Sequence, residues 1–364
     1  MMWDVMSPTR NCNDAGGRSD EADLRTLLNI QKQLLPDMIE VFRKRYRILH
    51  YVMLTGSVGR RTLASALGMT ERVLRAEVDF LNEQGLVEID KVGIRITDSG
   101  EQLVQEMDSL VTELFGLTDL EERIRQAFNI KQVIIVPGDA DVSPHVKRQL
   151  GQAVGQMLRK HVKPNDVIGV TGGSTLAEAA NQLGQTSGWK GTWFVPARGG
   201  LGESMEFQAN TIASMMAKKT GAGYRLLHVP DNISEEAYQS LMLEPNIQDI
   251  VQHIRKARIV IHGIGDAMSM ARRRRVGAET VRELQAEGAL AEAFGYYFDR
   301  EGKVVHKTRM LGLRLEDIQS MELVIAVAGG TSKAEAILSV LRFGHQDVLI
   351  TDEGAALAMV KDLP

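Results

Sequence analysis

The chain has 364 residues, 44% of them apolar and 25% charged, with a net charge of −4 and one cysteine, Cys12. That length suits two domains, or three, and the composition excludes a disordered, collagenous or repetitive chain. One cysteine excludes an intramolecular disulfide and a zinc site built on several thiolates; no apolar run approaches the ~20 residues that span a bilayer, and residues 1–22 lack the basic-then-apolar order of a signal peptide, so a cytoplasmic protein is expected.

Residues 1–22 are polar and without periodicity, which predicts a disordered tail. Helical spacing begins with Leu24, Leu27, Leu28 and Leu34. Pro36 then suits the first turn of a second helix carrying Ile39, Phe42, Tyr46, Leu49 and Met53, which Thr55-Gly56 ends. A short helix is expected over 60–67, broken by Gly68. Thr70 suits the N-cap of the next, over 71–84, whose apolar positions are Val73, Leu74, Val78 and Leu81. Two alternating strands, 86–89 and 94–97, flank a glycine-containing turn and predict a hairpin. Leu103, Met107, Leu110, Leu114 and Leu117 then form a short heptad seam on one helix, suited to assisting dimerisation.

From Val133 onward the pattern changes to short β-branched runs separated by amphipathic helices. The runs are 133–136, 167–170, 193–195, 226–229, 259–261, 323–327 and 348–350, and they predict a parallel sheet buried on both faces. Residues 296–298 and 303–305 read as an added hairpin around Gly302. The expected fold is α/β: an N-terminal winged helix-turn-helix and a larger Rossmann-like three-layer domain with a mainly parallel sheet. The expected boundaries are a tail at 1–22, the winged helix at 23–100, a linker or dimerisation helix at 101–120 and the large domain at 121–364.

Charge supports the N-terminal reading. Between Glu40 and Arg75 eight Lys or Arg stand against two acids, a local excess of six positive charges, while the rest of the chain carries −10. A basic segment on an acidic body is the footprint of a nucleic-acid-binding module. On the expected recognition helix, Thr70, Arg72 and Arg75 would face base edges or phosphates of double-stranded DNA. Arg60 and Arg61 would grip backbone phosphate, and Lys91 and Arg95 sit on the wing. The planar fork of arginine suits this work because it offers two hydrogen bonds to a phosphate or a guanine edge.

Four strands of the large domain run into glycine-rich tips, at 171–175, 196–200, 262–266 and 328–333. Ligands of open parallel sheets bind at the carboxyl ends of strands, where glycine permits close backbone approach and helix N-termini hold anions. Two tips read Gly-Gly-[Ser/Thr]-[Thr/Ser], one followed by Lys333, which predicts two phosphate groups on one small molecule. Neither has Walker A spacing, and the dinucleotide fingerprint is missing. Arg198 sits at a strand tip. Of Arg272 to Arg275, one or two can face a pocket. Asp266 and Glu292 are the acids best suited to accept hydrogen bonds from sugar hydroxyls, and His262 reads as a structural histidine. No metal-ligand cluster and no catalytic motif is expected.

The motifs at 59–63, 70–75, 170–175, 194–203, 293–298 and 327–336 resemble the SorC family of sugar-responsive transcriptional repressors, over a stretch from about Leu24 to the end. That resemblance implies a winged-helix domain joined to a sugar-phosphate-sensing domain related to phosphosugar isomerases and deaminases. It implies repression of a glycolytic operon, fructose 1,6-bisphosphate as inducer, no cofactor, and a tetramer on paired operator half-sites. Matching motifs assign the inducer contacts to Gly172, Gly173, Ser174, Thr175, Arg198, Gln208, Arg273 or Arg274, Glu292 and Lys333. Ser174 stands where the family has threonine, which keeps the hydroxyl. The alternative is a sugar-phosphate isomerase or deaminase on the same fold, for which Asp266 and Glu292 would supply the acid and base.

Overall fold

A computed structural model describes residues 34–186, 188–200, 204–230 and 233–363. The expected tail, the helical spacing at Leu24 to Leu28 and the Leu201–Glu203 part of one motif lie outside the described residues. Two compact units divide the chain between Gly116 and Leu117, with the short stretch 64–70 grouped with the larger one.

The N-terminal segment contains α1 (Pro36–Thr55), α2 (Arg60–Leu67), α3 (Glu71–Glu83), β1 (Val87–Ile89), β2 (Ile94–Ile96) and α4 (Asp98–Leu114). The apolar spacing of α1 buries Ile39, Tyr46, Leu49 and Val52, and the helix stops at Gly56, whose φ of 74° only glycine adopts freely. Leu74, Val78 and Leu81 bury one face of α3 and leave Arg72 and Arg75 on the other. β1 and β2 pair antiparallel, and Val58 adds a single-residue antiparallel bridge to Ile94. This is the winged helix-turn-helix order that the sequence predicts.

The heptad seam is shorter than expected. The helix ends at Leu114, Gly116 takes a φ of 72°, and Leu117 opens a new helix. The cause is Phe115, which turns inward and packs edge-on against Phe42 and Tyr46, at ring-centroid distances of 6.4 and 5.8 Å. Val104 and Val111 form the buried face of α4, so residues 101–116 join the smaller unit. Leu103, Met107 and Leu114 lie on a different, half-buried stripe.

The larger unit runs α5 (Leu117–Phe128), β3 (Gln132–Val136), α6 (Pro144–His161), β4 (Val167–Val170), α7 (Ser174–Gln182), β5 (Trp193–Pro196), α8 (Ala209–Thr220), β6 (Gly223–Tyr224), α9 (Glu235–Leu243), α10 (Pro245–Arg255), β7 (Ile259–Gly263), β8 (Gly265–Asp266), α11 (Ala267–Arg273), α12 (Ala278–Ala286), β9 (Ala291–Ala293), β10 (Tyr296–Phe298), β11 (Val304–Lys307), α13 (Leu315–Gln319), β12 (Leu323–Val327), α14 (Ala334–Phe343), β13 (Val348–Asp352) and α15 (Glu353–Met359). Seven strands form a parallel sheet in the order β3-β13-β12-β7-β4-β5-β6. β4, β12 and β13 are buried along their whole length, as their near-continuous apolar runs require of strands covered on both faces.

Two expectations change. Leu226–Val229 is not a strand; the sixth strand is Gly223–Tyr224. The buried Asn210 amide brackets Leu227, donating to its carbonyl at 3.0 Å and accepting from its N–H at 2.9 Å. A side chain thus satisfies the backbone that a ladder would have paired. The hairpin at 296–305 is real but belongs to a second, antiparallel sheet, β11-β10-β9-β8. β8 and β9 are two and three residues long and contain Gly, Asp, Ala and Glu, which carry no strand signal.

Sheet order reverses between β4 and β7: from β4 the chain proceeds outward through β5 and β6, and from β7 outward through β12 and β13. The gap beyond the carboxyl ends of β4 and β7 is therefore the topological switch point, where open sheets bind ligands.

Candidate anion-binding cleft and nucleic-acid interface

A cleft of about 230 Å³ opens at that switch point. Its floor is the strand-tip backbone: Thr171 to Thr175 after β4, Gly263 to Asp266 after β7, and Ser332 and Lys333 after β12. Thr171 ties the first two tips together, because its hydroxyl accepts from the Gly263 N–H at 3.1 Å. A Cβ on Gly172 would meet the Phe207 carbonyl at 2.5 Å, and Gly173 has a φ of 123°, so both positions require glycine. Helix α7 starts at Ser174 without a side-chain cap. Ser174 and Thr175, in its first turn, line the cleft, where a helix N-terminus suits an anion, while the Gly173 N–H is taken by the Phe207 carbonyl at 2.9 Å.

The second glycine turn is different. Its N–H groups are already occupied by carboxylates: Gly330 donates to Asp352 at 2.7 Å, Thr331 to Asp139 at 3.2 Å and Ser332 to Asp141 at 2.7 Å. This turn offers no backbone cradle for a phosphate, contrary to the pairing of two like turns that the sequence suggested. What it presents to the cleft is the Lys333 side chain. Burial depresses the pKa of Lys333, and the charges of Lys147 and Arg273 depress it further. Three cations therefore converge at this end, and none of them is within ion-pair distance of a carboxylate among the described residues.

The cleft's third wall is the β9–β10 hairpin. Glu292 on β9 is buried and accepts from Arg274 Nη2 at 2.8 Å and from the Gly295 N–H at 2.6 Å. Burial pushes the Glu292 carboxyl upward, but Arg274, Arg198 and the Gly295 N–H outweigh it and hold its pKa below the usual carboxylate range. The two-residue turn of this hairpin, Phe294 and Gly295, has φ values of 53° and 79°, both positive as such turns require. For Phe294 that region is strained. Its ring packs against His262, with centroids 4.4 Å apart, and lines the cleft wall. His262 is fully buried, bonds the Gly263 carbonyl through Nδ1 at 3.1 Å, and is held neutral by burial, its pKa lowered to about 4.

Nine of the ten residues that the sequence reading gave to the ligand line this one cleft: Gly172, Gly173, Ser174, Thr175, Arg198, Arg273, Arg274, Glu292 and Lys333. The tenth, Gln208, lines an adjoining recess with Gly172 and Arg198. Both Arg273 and Arg274 reach the cleft, but they differ: Arg274 is buried on Glu292, whereas Arg273, in the last turn of α11, is exposed. Asp266 caps α11 by accepting from the Ser269 N–H at 2.8 Å, so both acids considered for sugar hydroxyls, or for isomerase chemistry, already hold protein partners. Lys147, on the first turn of α6, is a lining cation that sequence reasoning missed, since nothing local separates it from a surface lysine.

On the N-terminal segment the basic residues divide by partner. Arg43 lies over the Phe115 ring and Arg45 over Phe80, where Arg45 also pairs with Glu77 at 2.8 Å, so these two serve packing. Arg60 and Arg61 hold loose, exposed pairs with Asp79 and Glu71, at 3.7 and 3.4 Å. Thr70 is exposed immediately before α3, and Arg72 and Arg75 are exposed on it with no acid in ion-pair reach among the described residues. Arg60, Arg61 and Lys91 come together along one groove between the start of α2 and the wing. Arg95 is bound to Asp90, whose carboxylate also accepts the Val92 and Gly93 N–H groups and shapes the wing tip.

Among the described residues no helix is long and apolar enough to cross a membrane. Two protein families match the chain. The CggR N-terminal DNA-binding domain family matches residues 41–111, and the Sugar-bind family, a sugar-binding domain, matches residues 112–361. A central glycolytic genes regulator from Priestia megaterium is 46% identical over 340 residues, covering 93% of this chain and 99% of that protein. One from Bacillus subtilis is 43% identical over 339 residues, covering 93% and 100%. A SorC family transcriptional regulator from Enterococcus faecalis has a solved structure that is 40% identical, with a TM-score of 0.63, covering 66% of this chain and 99% of that one.

Proposed function

Because this chain belongs to the SorC family of transcriptional regulators, which join a DNA-binding domain to a sugar-binding domain, we propose that it represses a glycolytic operon and is released from its operator by fructose 1,6-bisphosphate. The observation that carries the effector assignment is charge. The cleft is lined by five basic side chains, Lys147, Arg198, Arg273, Arg274 and Lys333, and two acidic ones, Asp266 and Glu292, an excess of three positive charges. A phosphate monoester carries about −1.5 to −2 at pH 7. A bisphosphate therefore balances the cleft, and a monophosphate leaves it cationic. Ser174 and Thr175 take one phosphate through N–H groups and hydroxyls beside the close-packed Gly172-Gly173 backbone, whose Gly173 N–H is held by the Phe207 carbonyl, and the lysine-arginine end takes the other. Arg198, Gln208 and Glu292 are left to orient the sugar.

On the DNA side, Arg72 and Arg75 read base edges while Arg60, Arg61 and Lys91 hold backbone phosphate, with Thr70 and Arg95 flanking. Arg72→Ala and Arg75→Ala should each weaken operator binding by ~1–3 kcal/mol and relax sequence preference. Arg60→Ala should weaken all DNA about equally. A gel shift with operator and unrelated duplexes separates the two effects, and normal operator binding by both α3 variants would remove the recognition-helix assignment.

Two winged helices are placed on two-fold-related half-sites by assembly into dimers and tetramers. The half-buried stripe of Leu103, Met107 and Leu114 on α4 supports a role in that assembly. Light scattering of a chain beginning at Leu117 should show a smaller oligomer than the full chain. An unchanged oligomer would place assembly entirely in the larger unit.

A further inference from the structure

The two ends of the cleft are built from different chemistry. The α7 end offers N–H groups and hydroxyls, which hold an anion by directed hydrogen bonds. At the other end, Asp139, Asp141 and Asp352 have taken the N–H groups of the Gly330 turn. What remains there for an anion to meet is side-chain cations, three where the family motifs had indicated two, with the Asp141 and Asp352 carboxylates near enough to act on Lys333. Lys147 comes from α6, an element with none of the glycine-rich motifs, and reaches the cleft beside Lys333.

We infer that Lys147 is a direct ligand of the effector's second phosphate, and that together with Arg273 and Lys333 it makes this sugar-phosphate site selective for a bisphosphate. This rests on the proposed effector reading. Without a ligand, three like charges share a partly desolvated corner, a repulsion that Asp141 and Asp352 offset only in part. Burial is the largest cause of the depressed pKa of Lys333, and the charge of Lys147 adds to it, which puts the two ammonium groups in electrostatic reach of each other. A dianionic group placed between them reverses the sign of the interaction and gains charge-assisted hydrogen bonds from each. Lysine suits the task because a compact ammonium on a flexible stem needs no fixed approach direction. This end thus measures charge, and the α7 end measures geometry.

The test uses the full chain as wild type, Lys147→Gln and Lys147→Arg, titrated calorimetrically with fructose 1,6-bisphosphate, fructose 1-phosphate and fructose 6-phosphate. Lys147→Gln should weaken the bisphosphate roughly ten- to a hundredfold, the loss of one charge-assisted bond. It should weaken at most one of the two monophosphates, the one whose phosphate occupies this end. Lys147→Arg should retain most of the affinity. Ligand-free Lys147→Gln should melt at or above the wild-type temperature, because it removes a repulsion, which shows that the variant folds. No loss for the bisphosphate, or an equal loss for all three sugars, would overturn the assignment. Wild type that binds bisphosphate and monophosphates alike would instead overturn the underlying effector reading, and this inference with it.

Discussion

Glu292→Ala should destabilise the larger unit by about 3–5 kcal/mol, the usual consequence of leaving one member of a buried ion pair uncompensated. Arg274 and Glu292 retain only 4% and 5% side-chain exposure, and their 2.8 Å contact lies beside Arg198, so the remaining guanidinium charge is left beside another cation with little exposure to water. The same substitution strips the Gly295 N–H of its acceptor and loosens the turn that holds Phe294 in a strained conformation. Thermal melting with and without ligand is the measurement. Saturating bisphosphate should recover little of the loss, because its phosphates sit at the two ends of the cleft and Glu292 is itself one of the groups that orient the sugar. A loss below about 1 kcal/mol would show that Arg274 is solvated by other means.

Lys333→Ala should separate effectors by phosphate count. It removes one charge-assisted bond and one of three converging cations, so bisphosphate affinity should fall by ~1.5–3 kcal/mol, roughly ten- to a hundredfold. Binding to the folded chain alone adds ~2.7 kcal/mol of stability at a hundredfold excess over the dissociation constant. Wild type should therefore show a clear bisphosphate-dependent rise in melting temperature, and at the same ligand concentration Lys333→Ala should show most of that rise lost. Equal affinity of wild type for fructose 1,6-bisphosphate and fructose 6-phosphate would remove the two-phosphate cleft.

Much of this was legible from residue spacing. The apolar positions of α1 and α3, the glycine that ends α1 and the alternation in the wing each fix one local element, and local elements are what spacing reports. The glycine-rich tips likewise marked the ends of β4, β5, β7 and β12, and parallel topology alone brings three of them, those of β4, β7 and β12, to the cleft floor. What escaped depends on contacts between distant segments. The second Gly-Gly turn matches the first in sequence, yet Asp139, Asp141 and Asp352, from two other segments, fill its N–H groups. Lys147 lies far from every motif, and only the packing of α6 brings it to the cleft. Leu226 to Val229 reads as a strand, but Asn210 on a neighbouring helix takes the backbone bonds a strand would use. The seam at Leu117 failed because a single aromatic, Phe115, turned the chain inward.

Regulation requires that effector binding and operator binding favour different conformations, since a ligand with equal affinity for both shifts nothing. Fluorescence anisotropy of labelled DNA from upstream of the glycolytic operon, titrated with the full chain in the presence and absence of saturating fructose 1,6-bisphosphate, tests that requirement directly. The bisphosphate should weaken operator binding at least several-fold, and fructose 6-phosphate at the same concentration should have a much smaller effect. Operator affinity unchanged by a bisphosphate that calorimetry shows to be bound would contradict a repressor gated by this cleft.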